Sequence, residues 1–341
     1  MSGVDMGLCG VCGGAVVADG DRVPARFKAP VRRHRCWRAP GLMVLVLTAP
    51  LACAHTEGAP ASASLAEAWL ATALVLTGLL YARGVYVLVR SARTHPMHVM
   101  RCALLFTLGW SALGVAFVSP LAVATKGLFS AHMIQHEIVM VLAAPLMVLG
   151  RPLAIWTWAV PTRWRRALAR PLRAHVLRRP WAFASAPIAA SALHAAAIWI
   201  WHVPSLFERA EASLAVHTVQ HCTFLFTALL FWWSLLRPGR GARVGAAVLC
   251  LFITMLHTGA LGVLLTFSSE VWYPLSTAAA TQWGLTPTED QQLGGLIMWV
   301  PGGIPYVVAA LMLATRLFRT DQRVQRTQES PRQIALRLDS R

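Results

Sequence analysis

The sequence predicts an all-α membrane protein: a bundle of about seven transmembrane helices, N-terminus outside and C-terminus inside. Three observations predict it. Of the 341 residues, 56% are hydrophobic and only 13% charged, about half the charged share of a soluble domain, and mean hydropathy is +0.54. Apolar segments long enough to span, judged against the roughly 20 residues a crossing helix needs, run at approximately 66–90, 99–120, 128–150, 181–203, 213–236, 244–267 and 291–318. The basic residues, finally, are segregated along the chain. The composition excludes a soluble globular domain, and the dominance of apolar residues excludes disorder. No strand-like alternation competes with the apolar segments. Backbone groups in lipid must pair within their own segment, so each segment is read as a helix.

The net charge is +17, from 31 Lys+Arg against 14 Asp+Glu. Such a charge points either to nucleic acid or to basic loops on the inner face of a membrane protein. With residue 55 outside, the inner side receives 22 basic residues: Arg83, Arg90, Arg93, Arg101, eight Arg from Arg151 to Arg179, Arg237, Arg240, Arg243, and seven from Arg316 to Arg341. The outer side receives Lys126 and Arg209, and seven more lie before residue 40. Glu57, Glu67, Glu208, Glu211, Glu270, Glu289 and Asp290 fall outside. Twenty-two against two is a positive-inside pattern. The charge is therefore a topology signal; the partner it implies is the lipid bilayer and not nucleic acid.

Three regions follow. Residues 1–54 form a basic leader with a signal-peptide pattern: a basic stretch, the short apolar run Gly41–Leu51, and Ala52-Cys53-Ala54. An uncleaved anchor is the other reading of that stretch. Residues 55–320 form the seven-helix transmembrane domain, and 321–341 a basic cytoplasmic tail. The leader also holds Cys9-x-x-Cys12, a spacing shared with redox and metal motifs. Cleavage after Ala54 would expose His55, whose amine and imidazole together can chelate Cu(II). Trp199, Trp201, Trp272 and Trp283 near the outer surface, and Trp156, Trp158, Trp181, Trp232 and Trp233 near the inner one, are read as interfacial anchors. In the last span, Pro301-Gly302-Gly303-Ile304-Pro305 is either a kink or a notch for close helix packing.

The histidines carry the chemistry. His132 and His136 fall in the first turns of the third span, His217 and His221 in the first turns of the fifth, and both spans enter from outside. His202 ends the fourth span; His194 lies about 12 Å deeper, at 1.5 Å per residue, and His257 is near the middle of the sixth. Each i,i+4 pair shares one helix face. Ionisable groups in a membrane turn toward the bundle interior, so the two pairs are expected to converge. Met140 extends the His132/His136 face, Met298 lies at a compatible depth, and Glu137 is a lone carboxylate beside His136. Met is also a common gap filler. Imidazole suits several transition metals and thioether selects Cu(I). The set therefore points to copper, with bis-His haem as the alternative; spacing alone does not separate them.

Longer motifs resemble a known family. Ser130-Ala-His-Met-Ile-Gln-His136 with Leu149-Gly-Arg-Pro152, Trp201-His-Val-Pro204 with His217-Thr-Val-Gln-His221, and Glu289-Asp-Gln-Gln-Leu-Gly-Gly-Leu-Ile-Met-Trp-Val-Pro-Gly-Gly303 resemble the multi-spanning CtaG family, assembly factors named from caa-type cytochrome c oxidases. The resemblance covers roughly 65–318. It implies a non-enzymatic assembly factor for haem–copper oxidase in the bacterial inner membrane, aiding copper insertion from a His cluster that faces the periplasm. It also implies oxidase subunits and a periplasmic copper chaperone as partners. By motif position, His132, His136, His202, His217, His221 and Asp290 are carried over as site residues, with Met140, Met298, His257 and Glu137 secondary. A haem-binding membrane cytochrome and a copper transporter are the competing functions. A transporter needs ligands through the full bilayer depth, where only His194, His257 and Met147 are available.

Overall fold

The computed structural model describes residues 60–91, 95–165, 167, 175–236 and 242–339. The chain divides into a unit Met1–Arg35 and a unit Cys36–Arg341, and every described residue belongs to the second. The signal-peptide pattern, Cys9, Cys12 and His55 lie outside the described residues, among which there is no strand.

Helices α1 (Pro60–Arg90), α2 (Pro96–Val118) and the short α3 (Pro120–Ala124) lead to α4 (Phe129–Glu137). A π-helical segment Ile138–Ala143 joins α4 to α5 (Ala144–Leu149), and α6 (Pro152–Ala159) follows. Then come α7 (His175–Ala184), α8 (Pro187–Trp201), α9 (Pro204–Ala212), α10 (Leu214–Leu236), α11 (Ala242–Thr266) and α12 (Pro287–Asp339). Proline opens many of them: Pro96, Pro120, Pro152, Pro187 and Pro204 occupy the first helical turn, where a missing N–H costs nothing and φ is already helical. Thr286 and Glu289 close a capping box at the start of α12. Thr286 N–H donates to Glu289 Oε2 at 2.8 Å and Glu289 N–H to Thr286 Oγ1 at 3.2 Å.

Among the described residues, six helical stretches are long and apolar enough to cross a membrane: Ala71–Arg90, Pro96–Val118, Phe129–Leu149, Leu214–Leu236, Arg243–Thr266 and Pro287–Thr315. The expected fourth span is a bent pair, Arg178–Ala184 and Pro187–Trp201, meeting at 73°. The break has a local cause. Ala186 precedes Pro187 and is extended, at φ −70° and ψ 143°, because the proline ring disfavours the helical region for the residue before it. The chain that leaves along Phe129–Leu149 comes back to His202, whose ring lies 6.2 Å from that of His136. The bent pair therefore makes the return passage between α5 and α10.

The polarity of the bundle is that of a protein solvated by lipid. Leu76, Leu104, Leu256 and Leu311 are about 60% exposed, whereas His132, His136, His194, Gln220, Asp290 and Gln291 are buried. Glycines set the closest helix contacts. A Cβ on Gly262 would lie 2.7 Å from the Gly295 carbonyl, and a Cβ on Gly294 would collide with the Phe129 ring. These contacts bring α12 against both α11 and α4.

Several sequence expectations change here. The interfacial reading fails for Trp232, Trp156 and Trp201, which are at most 8% exposed. Trp232 donates its indole N–H to the Met140 carbonyl at 2.8 Å and stacks on Tyr306; Trp156 donates to the Thr77 carbonyl. An indole with an internal acceptor has no need of the interface. Helix α12 runs through Pro301 and Pro305 and across the boundary drawn at residue 320 without a break. Gly302 there is a packing notch: a Cβ would fall 2.8 Å from the Glu137 carboxylate.

Candidate metal centre

The first residues of helix α4 are buried, and its start is fixed from outside itself. Asp290, fully buried on α12, accepts the backbone N–H of Phe129 at 2.7 Å through Oδ2 and that of Ser130 at 3.0 Å through Oδ1. A carboxylate at a helix N-terminus satisfies orphan donors and complements the helix dipole. The structure thus places Asp290 at the start of this helix. Both of its oxygens are committed to backbone amides, and it stands outside the groups of converging ligand atoms among the described residues.

One and two turns into α4, His132 and His136 project into the bundle, 0% and 1% exposed. Their Nε2 atoms are 2.9 Å apart. Helix α10 repeats the arrangement, with His217 and His221 Nε2 atoms 3.1 Å apart. The two pairs face one another. The ring of His132 is 5.3 Å from that of His217 and 5.8 Å from that of His221, and His136 is 4.9 Å from His221. One donor atom from each of His132, His136 and His221 lies within 4.8 Å of the others, and the same holds for His132, Glu211 and His217.

His202 follows the last residue of α8. Its Nδ1 is 2.7 Å from the Ile198 carbonyl, which only accepts, so the ring proton is on Nδ1 and the neutral ring keeps its lone pair on Nε2. That Nε2 is buried and has no hydrogen-bond partner in the protein. The His202 carbonyl in turn accepts from the Tyr273 hydroxyl at 2.7 Å.

An aromatic wall encloses the imidazoles. Phe207 is fully buried and lies 5.1 Å from His132 and 5.9 Å from His202. Phe224 packs 4.7 Å from His136, and Phe117 5.2 Å from His221. Tyr273 stacks on Phe129. The loop that carries it is tied to α12 through Gln291, which accepts from Trp272 N–H at 2.6 Å and donates to the Glu270 carbonyl at 2.9 Å.

Glu211, on α9, was absent from the expected site. Its Oε1 lies 2.8 Å from His132 Nδ1, with the side chain 12% exposed. Burial pushes this carboxyl up, but the neighbouring His132 and His217 imidazoles outweigh it and hold it below the ordinary carboxylate range. Its one sequence signal was a place between His202 and His217 on a segment flanked by site residues. A second signal was also available. His132-x-x-Gln-His136 and His217-x-x-Gln-His221 share a spacing. Gln135 donates to the Ala116 carbonyl at 2.7 Å, tying α4 to α2, and Gln220 is fully buried with neither amide atom paired within the protein.

The secondary residues lie elsewhere. Met140 falls in the π-helical segment and packs in the main apolar core with Met298. Glu137 turns its buried Oε2 toward Gly302. His257 accepts the Trp199 indole N–H at 3.3 Å, and His194 pairs with Thr227 Oγ1 at 3.0 Å and stacks on Phe231.

The donor set fits a small cation. Five imidazoles and a carboxylate converge among Phe117, Phe207 and Phe224, and buried His136 Nδ1, His202 Nε2 and His221 Nδ1 have no partner in the protein. Two nitrogens ligating one tetrahedral ion at about 2.0–2.1 Å stand about 3.3 Å apart, close to the 2.9 and 3.1 Å found within the pairs.

Fold and site together define a class: a multi-pass helical membrane protein with a buried polyhistidine centre. The family is given by comparison. Residues 79–320 match the cytochrome c oxidase caa3 assembly factor family, Caa3_CtaG, and the chain belongs to it. Among curated proteins it is similar to uncharacterized proteins of Mycobacterium bovis and Mycobacterium tuberculosis, each 26% identical over 265 residues, covering 76% of this chain and 40% of the relative. An uncharacterized protein of Mycobacterium leprae is 26% identical over 270 residues, covering 74% of this chain and 39% of that relative. The chain thus spans about two fifths of the length of these relatives. No solved structure matches it.

Proposed function

We propose that this protein serves assembly of a haem–copper cytochrome c oxidase by holding copper at its histidine centre and passing it to an oxidase subunit. The observation that carries this reading is the convergence of His132, His136, His217 and His221 from two helices, with His202 beside them. Neutral imidazoles bind Cu(I) without first losing a proton. The family supports the oxidase as the partner; a periplasmic copper chaperone is the natural donor if the centre faces outward. The charge asymmetry favours that orientation, with the cluster at the periplasmic side of a bacterial inner membrane. Copper here is cargo, and no bond chemistry is assigned to the protein.

Two observations weigh against the competing functions. A porphyrin needs a flat slot between two imidazoles that ligate from opposite faces, whereas here Nε2 atoms approach to 2.9 and 3.1 Å and Phe207 and Phe224 fill the flanks. A transporter needs ligand sets through the full depth, and the converging groups of ligand atoms among the described residues are confined to His132, His136, Glu211, His217 and His221.

The test is metal and haem analysis of purified protein beside the variant His132→Ala/His136→Ala. The wild type is expected to bind Cu(I) and to show no Soret band. The double variant is expected to lose at least about 100-fold in Cu(I) affinity and to lower oxidase activity in cells at unchanged abundance. Stoichiometric haem in the wild type, or full oxidase activity with the double variant, overturns the reading.

A further inference from the structure

The centre is not one symmetrical cage. Its two converging groups overlap at a single residue: His132, His136 and His221 form one, and His132, Glu211 and His217 the other. His132 meets them through different atoms, with Nε2 2.9 Å from His136 Nε2 and Nδ1 2.8 Å from Glu211 Oε1. The groups also differ in burial. His132, His136 and His221 are all buried, whereas Glu211 and His217 are only partly so. Their chemistry differs as well, because the more exposed group contains a carboxylate and the buried group only imidazoles.

A neutral imidazole has one lone-pair nitrogen at a time. His132 therefore serves one group or the other, never both. We propose that the histidine centre is a two-station path for a single Cu(I) ion: Glu211, His217 and His132 load it, and His132, His136 and His221 hold it. The inference rests on the copper reading above and adds an order of events and a role for Glu211.

The step is a ligand exchange without redox change. In the loading station the ion is bound to Glu211 oxygen, His217 nitrogen and His132 Nδ1, while the His132 ring proton sits on Nε2 and faces His136. On transfer, the bonds to Glu211 and His217 break and bonds to His136 and His221 form. His132 changes from Nδ1 to Nε2 ligation, and its ring proton ends on Nδ1, facing the vacated carboxylate. The proton count of the protein is unchanged. In the holding station Glu211 becomes the carboxylate behind a metal-ligating histidine, an arrangement that fixes the ring and raises its basicity. Phe207, against both His132 and His136, keeps water from the ion.

The experiment uses the full-length protein in detergent under anaerobic conditions, with Cu(I) supplied from a chromophoric Cu(I) chelator. Stoichiometry, equilibrium affinity and loading rate are measured for the wild type, Glu211→Gln, His136→Ala and His221→Ala, each checked for an unchanged melting temperature. The wild type is expected to take up one Cu(I). His136→Ala and His221→Ala should lose more than about 100-fold in affinity, whereas Glu211→Gln should load at least about tenfold more slowly and lose only about tenfold in affinity, the smaller loss expected of a carboxylate behind a ligating histidine. Glu211→Asp, which keeps the charge, should recover part of the rate. Two ions bound at once would overturn the alternation. Equal losses of affinity in Glu211→Gln and His221→Ala, or an unchanged loading rate in Glu211→Gln, would mean a single undivided site. A wild type that binds no Cu(I) would bring down the copper reading itself, and this inference with it.

Discussion

At the scale of single residues, Asp290 and His202 show how the centre is held in place. Asp290 accepts two backbone N–H groups at the start of α4, so its effect on the histidines acts through the helix they stand on. Removing a buried acceptor strands both donors, at a cost of about 1–3 kcal/mol. Asp290→Ala is therefore expected to lower the melting temperature and Cu(I) affinity together, and Asp290→Asn, which keeps one acceptor, to recover part of both. A loss of affinity in Asp290→Asn at an unchanged melting temperature would instead make Asp290 a ligand. His202 is the complementary case. Its hydrogen bond to the Ile198 carbonyl selects the tautomer that leaves Nε2 free, so its ring needs no rearrangement to ligate.

At the scale of elements, the histidine pairs depend on how closely α4, α10 and α12 approach. The i,i+4 spacing was legible in the sequence because helical periodicity alone puts both rings on one face. That the two faces meet was an expectation from polarity; the ring separations of about 5–6 Å are a tertiary result. The π-helical segment was not legible. It contains Met140, whose carbonyl accepts the Trp232 indole N–H, a pairing between residues 92 positions apart. Gly302 gives a test at this scale. A methyl at this position meets the Glu137 carboxylate, and such overpacking costs about 1–3 kcal/mol. Gly302→Ala should lower the melting temperature, and Glu137→Ala should relieve most of that loss in the double variant, a coupling of about 0.5 kcal/mol or more. Additive effects would show that the notch accommodates something other than Glu137.

At the scale of the whole molecule, the passages must agree with the ends they connect. His132 and His217 lie at the N-terminal ends of α4 and α10 and are neighbours, so those helices run inward from the same side. The bent pair between them must return across the same thickness, despite its 73° break. This parity is compatible with the 22-to-2 segregation of basic residues, and the two together predict sidedness. A fluorescent reporter that folds only in the cytoplasm, fused to Arg341, should fluoresce. The variant Arg209→Cys should react with an impermeant thiol reagent in intact spheroplasts, above the background of the unsubstituted protein. A dark reporter, together with no added labelling in Arg209→Cys, would invert the molecule and move the histidine centre to the inner face.

The sequence by itself determined the helical class, the approximate spans, the charge asymmetry and the two histidine pairs. These follow from hydropathy, charge placement and the period of a helix, which are local quantities. Only the tertiary structure decided that Glu211 belongs to the centre, that Asp290 caps α4, that Trp232 is a core residue, and that His132 is shared between two groups of ligand atoms. Each of these depends on a contact between residues far apart in the chain. Hydrophobicity says which faces turn inward, but not which inward-facing atoms come to lie within 3 Å of one another.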